Sequence, residues 1–382
     1  MEYRTLGNTG LQVSAVALGC EGFLGKDRAE MRAMLDFAWK QGINFIDMYS
    51  PDPAFRRILG EWVREKRGRF FLQSHLCSVW EDGQYLRTRD LGKTKAGFAA
   101  MLEELGADFI DIGMIHYVDD DQDYDGLFDS GIIDFAKQQL AEGKIRHLGM
   151  SSHNPLVALR AAQSGLFGVI LFSINPAYDM QPATEDVEEY FDNANFQGGR
   201  TNIDPDRQRF YDYCASHGIG LDVMKPYGGG NLLDAAQSPF GQALTVVQCI
   251  DYALARPAVA AVMCGCRSLE EIRSALAWCG ASPEEKDYTA VLSGLESFSW
   301  TGKCMYCGHC APCTSDIRIA DVNKFYNLTV AEGCVPETVR EHYRALAHHA
   351  SECVECGACE TRCPFGVDII AGMRKAAETF GY

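Results

Sequence analysis

From about residue 16 to residue 280, short apolar runs alternate with helix-length amphipathic segments. The runs are Val16–Gly19, Asn44–Tyr49, Phe70–His75, Phe109–His116, Ile145–Ser151, Val169–Asn175, Gly220–Pro226 and Ala261–Cys266. Between them lie stretches of helical periodicity such as Glu30–Gln41, Ala54–Arg67 and Leu269–Cys279. Eight strand–helix units of this size predict an α/β chain built as a (β/α)8 TIM barrel. The competing doubly wound sheet would carry G-x-G-x-x-G after its first strand, and that loop is absent.

Local signals frame the barrel. Tyr3–Val13, with Asn8-Thr9-Gly10 at its turn, reads as a hairpin that caps the barrel floor. Ser282-Pro283-Glu284-Glu285 supplies an N-cap, a proline at the first helical position and a capping box, for a helix ending near Phe298. The stretch from Ala177 to about Asp206, with Gly198-Gly199-Arg200 near its end, is long enough to read as a lid or substrate loop.

Eight of the sixteen cysteines fall into two runs, Cys304, Cys307, Cys310, Cys313 and Cys353, Cys356, Cys359, Cys363, with a helix expected between them around Pro336–His348. The second run and Pro364 spell C-x2-C-x2-C-x3-C-P, the bacterial ferredoxin pattern for [4Fe–4S] ligation, in which the fourth cysteine ligates the other cluster. The expected sets are Cys304, Cys307, Cys310 with Cys363, and Cys353, Cys356, Cys359 with Cys313. Zinc would need four ligands per site and rarely packs four cysteines into ten residues. Disulfides would need an oxidising compartment, and the start of the chain does not resemble a signal peptide. Two [4Fe–4S] clusters are therefore the cofactors expected. The domains predicted are a barrel over 1–296 and an α-helical, bacterial-ferredoxin-like domain over 297–382.

Composition narrows the partners. A length of 382 residues suits a barrel with an appendix, and 47% hydrophobic content can fill its core. A net charge of −17 argues against nucleic acid or an anionic membrane, and no apolar run is long enough to span a bilayer. A cytoplasmic protein is expected, acting on a small molecule, with a ferredoxin- or flavodoxin-type electron donor as its protein partner.

Chemistry in such a barrel collects at the C-terminal strand ends. Those ends carry Cys20-Glu21, Asp47 with Tyr49, His75, His116-Tyr117, Ser151-Ser152, Asn175, Lys225, and Cys264 or Cys266. The two last cysteines read as core. Asp47 and Tyr49, two apart on a strand, can face the same cavity, although Tyr49 also reads as packing at the strand rim.

At these residues the chain resembles the aldo-keto reductases. The likeness rests on Tyr3-Arg-Thr-Leu-Gly7, Gly42-Ile-Asn-Phe-Ile-Asp47, His116 after Asp108-Phe-Ile-Asp-Ile, Gly143-Lys-Ile-Arg-His-Leu-Gly149, and Gly265 with Arg267-Ser268. The tail is similar to the family's iron–sulfur branch. The resemblance implies a tetrad of aspartate, tyrosine, lysine and histidine. Asp47 and His116 match two of these, His75 stands at the lysine position and Asp52 at the tyrosine position. The expected proton-handling residues are thus Asp47, Tyr49, His75 and His116. It also implies a nicotinamide site at Ser151, Ser152, Asn175, Lys225 and Arg267, but one whose phosphate-gripping cations are replaced by Gly265 and Glu271, so that NAD(P)H binding is in question. The function expected is reduction of a small carbonyl or activated unsaturated substrate with electrons passed through the clusters. An NAD(P)H-dependent reductase with accessory clusters, and a non-catalytic electron-transfer partner, are the alternatives.

Overall fold

The structure is a computed structural model that describes residues 1–66, 68–186, 189–190, 202–293 and 302–382. Eight parallel strands close into a barrel in chain order: β1 Val16–Gly19, β2 Phe45–Met48, β3 Phe71–Leu76, β4 Ile110–Ile115, β5 Ile145–Ser152, β6 Val169–Ser173, β7 Gly220–Met224 and β8 Val259–Gly265. Closure is made where β8 pairs with β1, with Val262 opposite Val16. Most strand positions are buried between the lumen on one face and helices on the other, so most strands read as largely apolar runs rather than alternations.

Around the barrel stand α1 Arg28–Lys40, α2 Pro53–Arg64, α3 Leu91–Leu105, α4 Ile132–Ala141, α5 Pro155–Gln163, α6 Pro205–His217, α7 Val246–Leu254 and α8 Leu269–Leu276. The floor is the expected hairpin, Tyr3–Thr5 paired with Gln12–Ser14. It lies so close to β7 that a Cβ on Gly7 would sit 2.3 Å from the Gly220 nitrogen.

Three features depart from the expectation. A second hairpin, Ser78–Glu81 with Gln84–Arg87, follows β3 and lies at the barrel mouth. Its two-residue turn, Asp82-Gly83, has positive φ at both positions (50° and 78°), the geometry that Asp-Gly favours. The capping box at Ser282 forms, but its helix is only Pro283–Lys286, followed by Thr289–Ser293. In the tail, α9 Ile319–Glu332 precedes α10 Glu337–Arg344 and α11 Ile369–Phe380, and only the α10 region was anticipated. The Gly198–Arg200 segment, the helix end near Phe298 and the 296/297 boundary lie outside the described residues.

The tail has its own core, including Ile317, Val322, Val339, Tyr343 and Met373. Helix α9 packs on α6 of the barrel. Met305, inside the first cysteine run, and Phe365, just after the second, belong instead to the barrel's hydrophobic core.

Candidate active site and cysteine cavities

Asp47 at the end of β2, His75 near the end of β3 and His116 just after β4 are all buried and form one hydrogen-bonded line. His75 Nε2 lies 2.8 Å from Asp47 Oδ1, and His75 Nδ1 lies 2.7 Å from His116 Nδ1. The line ends on a residue the sequence reading missed. Tyr85, on the mouth hairpin, places its hydroxyl 2.8 Å from His116 Nε2, and the residue is 43% exposed. At the inner end, Gln73 Nε2 donates to Asp47 Oδ1 at 3.0 Å and to Asp222 Oδ2 on β7 at 2.6 Å.

One hydrogen-bond direction satisfies this line when both imidazoles are neutral. The Asp47 carboxylate accepts from His75 Nε2–H, His75 Nδ1 accepts from His116 Nδ1–H, and His116 Nε2 accepts the Tyr85 proton. Neutral His116 agrees with its surroundings: burial, then His75, Arg89 and Arg87, hold it well below the usual histidine range. Burial raises Tyr85 against the opposing Arg87 and Arg89, so it stays a phenol. Full burial keeps the Asp222 carboxyl far above its ordinary range and neutral.

The mouth is braced by charge. Arg89 donates to the carbonyls of His116 at 3.0 Å and Tyr117 at 2.8 Å, and Arg87 to Tyr117 at 3.0 Å, while Asp123 pairs with both arginines. These bonds hold the chain where Tyr117 takes a left-handed φ of 52°.

Tyr49 does enter this cavity, but as a stacking partner. Its ring runs parallel to His116 within 4°, centroids 6.1 Å apart, and meets Tyr85 edge-on. The phenol hydrogen-bonded to His116 is that of Tyr85. Asp52, at the resemblance's tyrosine position, caps α2 by accepting from the Ala54 and Phe55 amides.

The expected nicotinamide residues are near the mouth, and the side chains of Ser151, Ser152 and Asn175 are engaged within the protein. Ser151 Oγ accepts from the Tyr117 amide, and Ser152 Oγ donates to Asp119. Asn175 caps the short helix Pro176–Asp179 and donates to the Lys225 carbonyl. Arg267 is exposed, and its amide donates to Glu271 at 2.6 Å. Glu270 and Glu271 thus occupy the first turn of α8, where a phosphate would otherwise use the helix N-terminus.

In the tail, two cavities are walled by cysteines from both runs. Cys304, Cys307, Cys310 and Cys363 line one, and Cys313, Cys353, Cys356 and Cys359 line the other. The two loops repeat one backbone design, with left-handed Tyr306 and Glu355 before the middle cysteines and left-handed Gly308 and Gly357 after them. Asn323 Nδ2 donates to the Cys304 sulfur at 3.5 Å, and Thr314 Oγ1 lies 3.4 Å from the Cys356 sulfur. No disulfide links the sixteen thiols. A tetrahedral zinc would draw its four sulfurs to within ~4 Å of one another; among the described residues no such single-ion group is gathered. Four thiols around a cavity are the donor set that a cubane cluster requires. The cavity near Met305 is the inner one, since Cys307 and Cys363 pack against the barrel core, whereas Cys356 of the other is exposed.

Residues 15–246 match the aldo/keto reductase family model. The chain belongs to the aldo/keto reductase family. Residues 303–368 match a 4Fe-4S dicluster domain. YqkF of Bacillus subtilis, an oxidoreductase described as uncharacterized, is 27% identical over 291 residues, 72% of this chain and 89% of its own. YrpG of the same organism, described likewise, is 28% identical over 167 residues, 40% of this chain and 49% of its own. The holo form of the aldo-keto reductase AKR11C1 from Bacillus halodurans superposes with a TM-score of 0.57 at 21% identity, over 75% of this chain and 94% of that one, and shares the barrel fold. The protein is an aldo/keto-reductase-type oxidoreductase with an iron–sulfur tail.

Proposed function

We propose that this oxidoreductase reduces and protonates a small carbonyl or activated unsaturated substrate at the barrel mouth, with electrons supplied through its tail by a ferredoxin- or flavodoxin-type donor. The observation that carries the reading is the hydrogen-bonded line Tyr85–His116–His75–Asp47, standing beside Ser151, Ser152 and Asn175, whose side chains are engaged within the protein. Cys304, Cys307, Cys310 and Cys363 would hold one [4Fe–4S] cluster, and Cys313, Cys353, Cys356 and Cys359 the other. Bound there, such clusters supply electrons singly.

The histidine pair governs what Tyr85 can do. With both rings neutral, the Tyr85 proton is held by His116 Nε2. One added proton on His75, facing the Asp47 carboxylate, turns His75 Nδ1 into a donor. His116 must then accept at Nδ1 and carry its own proton on Nε2. That proton is donated to the Tyr85 oxygen, and the Tyr85 O–H is released toward substrate. The pair therefore stores one proton and presents it through a phenol. Gln73 fixes the Asp47 carboxylate, and neutral Asp222 adds no competing charge. Tyr49 shields the His116 face from water.

The test uses anaerobically purified protein and a panel of small carbonyls and activated alkenes. Turnover is expected with a reduced low-potential carrier, and neither NADPH nor NADH should bind or perturb the cluster spectrum. Tight NADPH binding with hydride-dependent carbonyl reduction would refute the reading in favour of nicotinamide chemistry. Electron uptake without turnover of any substrate would leave an electron-transfer scaffold.

A further inference from the structure

Beside the inner cavity the protein buries more positive than negative charge. Arg207, Arg256 and Asp179 are each 0% exposed. Asp179 accepts from the Tyr211 hydroxyl at 2.5 Å and the Tyr252 hydroxyl at 2.8 Å, and lies 3.5 Å from Arg207. Arg207 also donates to the carbonyls of Ser173 and His153. Arg256 is served differently. Its Nη2 donates to the carbonyl of Met305, between Cys304 and Cys307, at 2.8 Å, while its Nε and Nη1 have no hydrogen-bond partner among the described residues. Its guanidinium lies 4.5 Å from the Tyr252 ring and 5.9 Å from the Tyr306 ring.

Two buried guanidinium groups thus face one buried carboxylate, in a chain of net charge −17. The next carboxylate, Asp251, feels Arg256 too, but it accepts from Trp278 and is shared with Lys286 and Arg4. Lys324 of α9 brings a further positive charge to the same region. A buried cation without a counter-ion is costly, so something anionic is expected against Arg256. Four thiolates around a cubane provide it, and Arg256 Nη2 already reaches the loop between Cys304 and Cys307.

We propose that the counter-ion of Arg256 is the cluster held by Cys304, Cys307, Cys310 and Cys363, and that this buried cation raises the cluster's reduction potential, keeping it reducible against the barrel. The inference rests on the reading that the inner cavity holds a cluster. One-electron reduction adds one negative charge there. Burial opposes that charge, and a fixed cation favours it. The outer site is arranged otherwise. Cys356 is exposed, Arg362 is only partly buried and donates to the carbonyls of Cys310 and Pro312, and Glu355 is paired with Arg374. The Arg256 effect therefore falls on one cluster of the two.

The experiment is an EPR-monitored redox titration of the anaerobic full-length holoprotein, with iron and sulfide assayed first. The inner signal is the one that survives in Cys356→Ser. In Arg256→Gln, poised at the wild-type midpoint, the reduced-to-oxidised ratio of the inner cluster should fall roughly tenfold, equivalent to about 59 mV for one electron, with the outer cluster unmoved. Arg256→Lys should hold the ratio within about threefold. An unchanged inner ratio in Arg256→Gln, or an equal shift of both clusters, overturns the proposal. Should Arg256→Gln fail to fold, Asp179→Asn reads the same field with opposite sign: the inner ratio should rise, and an unchanged or lower ratio overturns it. Wild-type iron well below the roughly eight per chain of two cubanes would instead break the two-cluster reading, and the inference with it.

Discussion

Replacing Tyr85 with phenylalanine removes one oxygen from the outer end of the relay and leaves the ring in place. The lost hydrogen bond to His116 contributes about 0.5–1.5 kcal/mol to stability. That is an upper bound here, because Tyr85 is 43% exposed and water can replace its hydroxyl. The folded protein should therefore survive with a melting temperature lowered by a few degrees at most. Catalysis should suffer far more. A positioned general acid supplies about 10²–10⁴ in rate, or roughly 2.7–5.4 kcal/mol at 1.36 kcal/mol per decade. Tyr49→Phe, which keeps the parallel stack on His116, should alter the rate less than about threefold.

The assay is kcat/KM for carbonyl reduction driven by a reduced carrier. Tyr85→Phe should be slowed by the factor of about 10²–10⁴ that a positioned general acid supplies. If Tyr49→Phe is the crippled variant and Tyr85→Phe is not, the acid has been assigned to the wrong phenol. If neither matters, the hydrogen-bonded line is scaffolding.

Two more predictions test the same geometry. Burial holds His116 well below 6.5 in the native state, while the unfolded chain takes up its proton near that value. The unfolded state then binds more protons below about pH 6.5, and stability is lost as pH falls through this range. His116→Gln has no such proton to take up, so its melting temperature should decline less steeply than the wild type's between about pH 7.5 and 5.5; parallel declines would contradict the buried neutral imidazole. Cys363→Ser should deplete the inner cluster although Cys363 belongs to the second run, and Cys313→Ser the outer one. Depletion of the cluster ligated by the same run would show that each run keeps its own cluster.

The barrel was legible because most strand positions are buried, so eight largely apolar runs stand out from their amphipathic neighbours. Strand ends differed from expectation by one to two residues, which is the fraying any local pattern leaves. The cysteine runs were legible because the ligands of each loop lie within seven residues, and spacing alone conveys the loop's turn. The relay was only partly legible. Asp47, His75 and His116 stood at strand ends, where a barrel makes polar groups converge. Gln73 and Asp222 looked like interruptions of apolar strands, and only closure of the barrel brings together two residues 149 positions apart. Tyr85 had a signal that went unused: Asp82-Gly83 between two short runs is a hairpin turn. That hairpin carries the phenol back over the mouth. Helix α9 was missed for another reason. Its Asn323, Asn327 and Thr329 weaken the helical pattern, yet Asn323 faces Cys304 and Asn327 the Tyr306 hydroxyl, so the cavity accounts for two of these choices.

The relay and the tail answer one constraint from opposite sides. A carbonyl that receives electrons singly gathers negative charge on oxygen after the first, so its proton donor must already be hydrogen-bonded when that electron arrives. A hydride donor imposes no such order, since both electrons come together. On the proposed reading, the position that the resemblance gives to tyrosine is free to serve as the Asp52 helix cap, and a phenol stands instead on a hairpin at the mouth, hydrogen-bonded to a line of two imidazoles. On the electron side, Arg256 would let the inner cluster hold its electron within the protein until that proton is in place. If Arg256→Gln lowers the inner potential and also slows turnover while Tyr85→Phe slows turnover at unchanged potential, electron supply and proton supply are separate levers on one reaction. A shift of cluster potential in Tyr85→Phe would contradict that division, because the hydroxyl and ring contacts of Tyr85 among the described residues are with His116 and Tyr49 at the mouth.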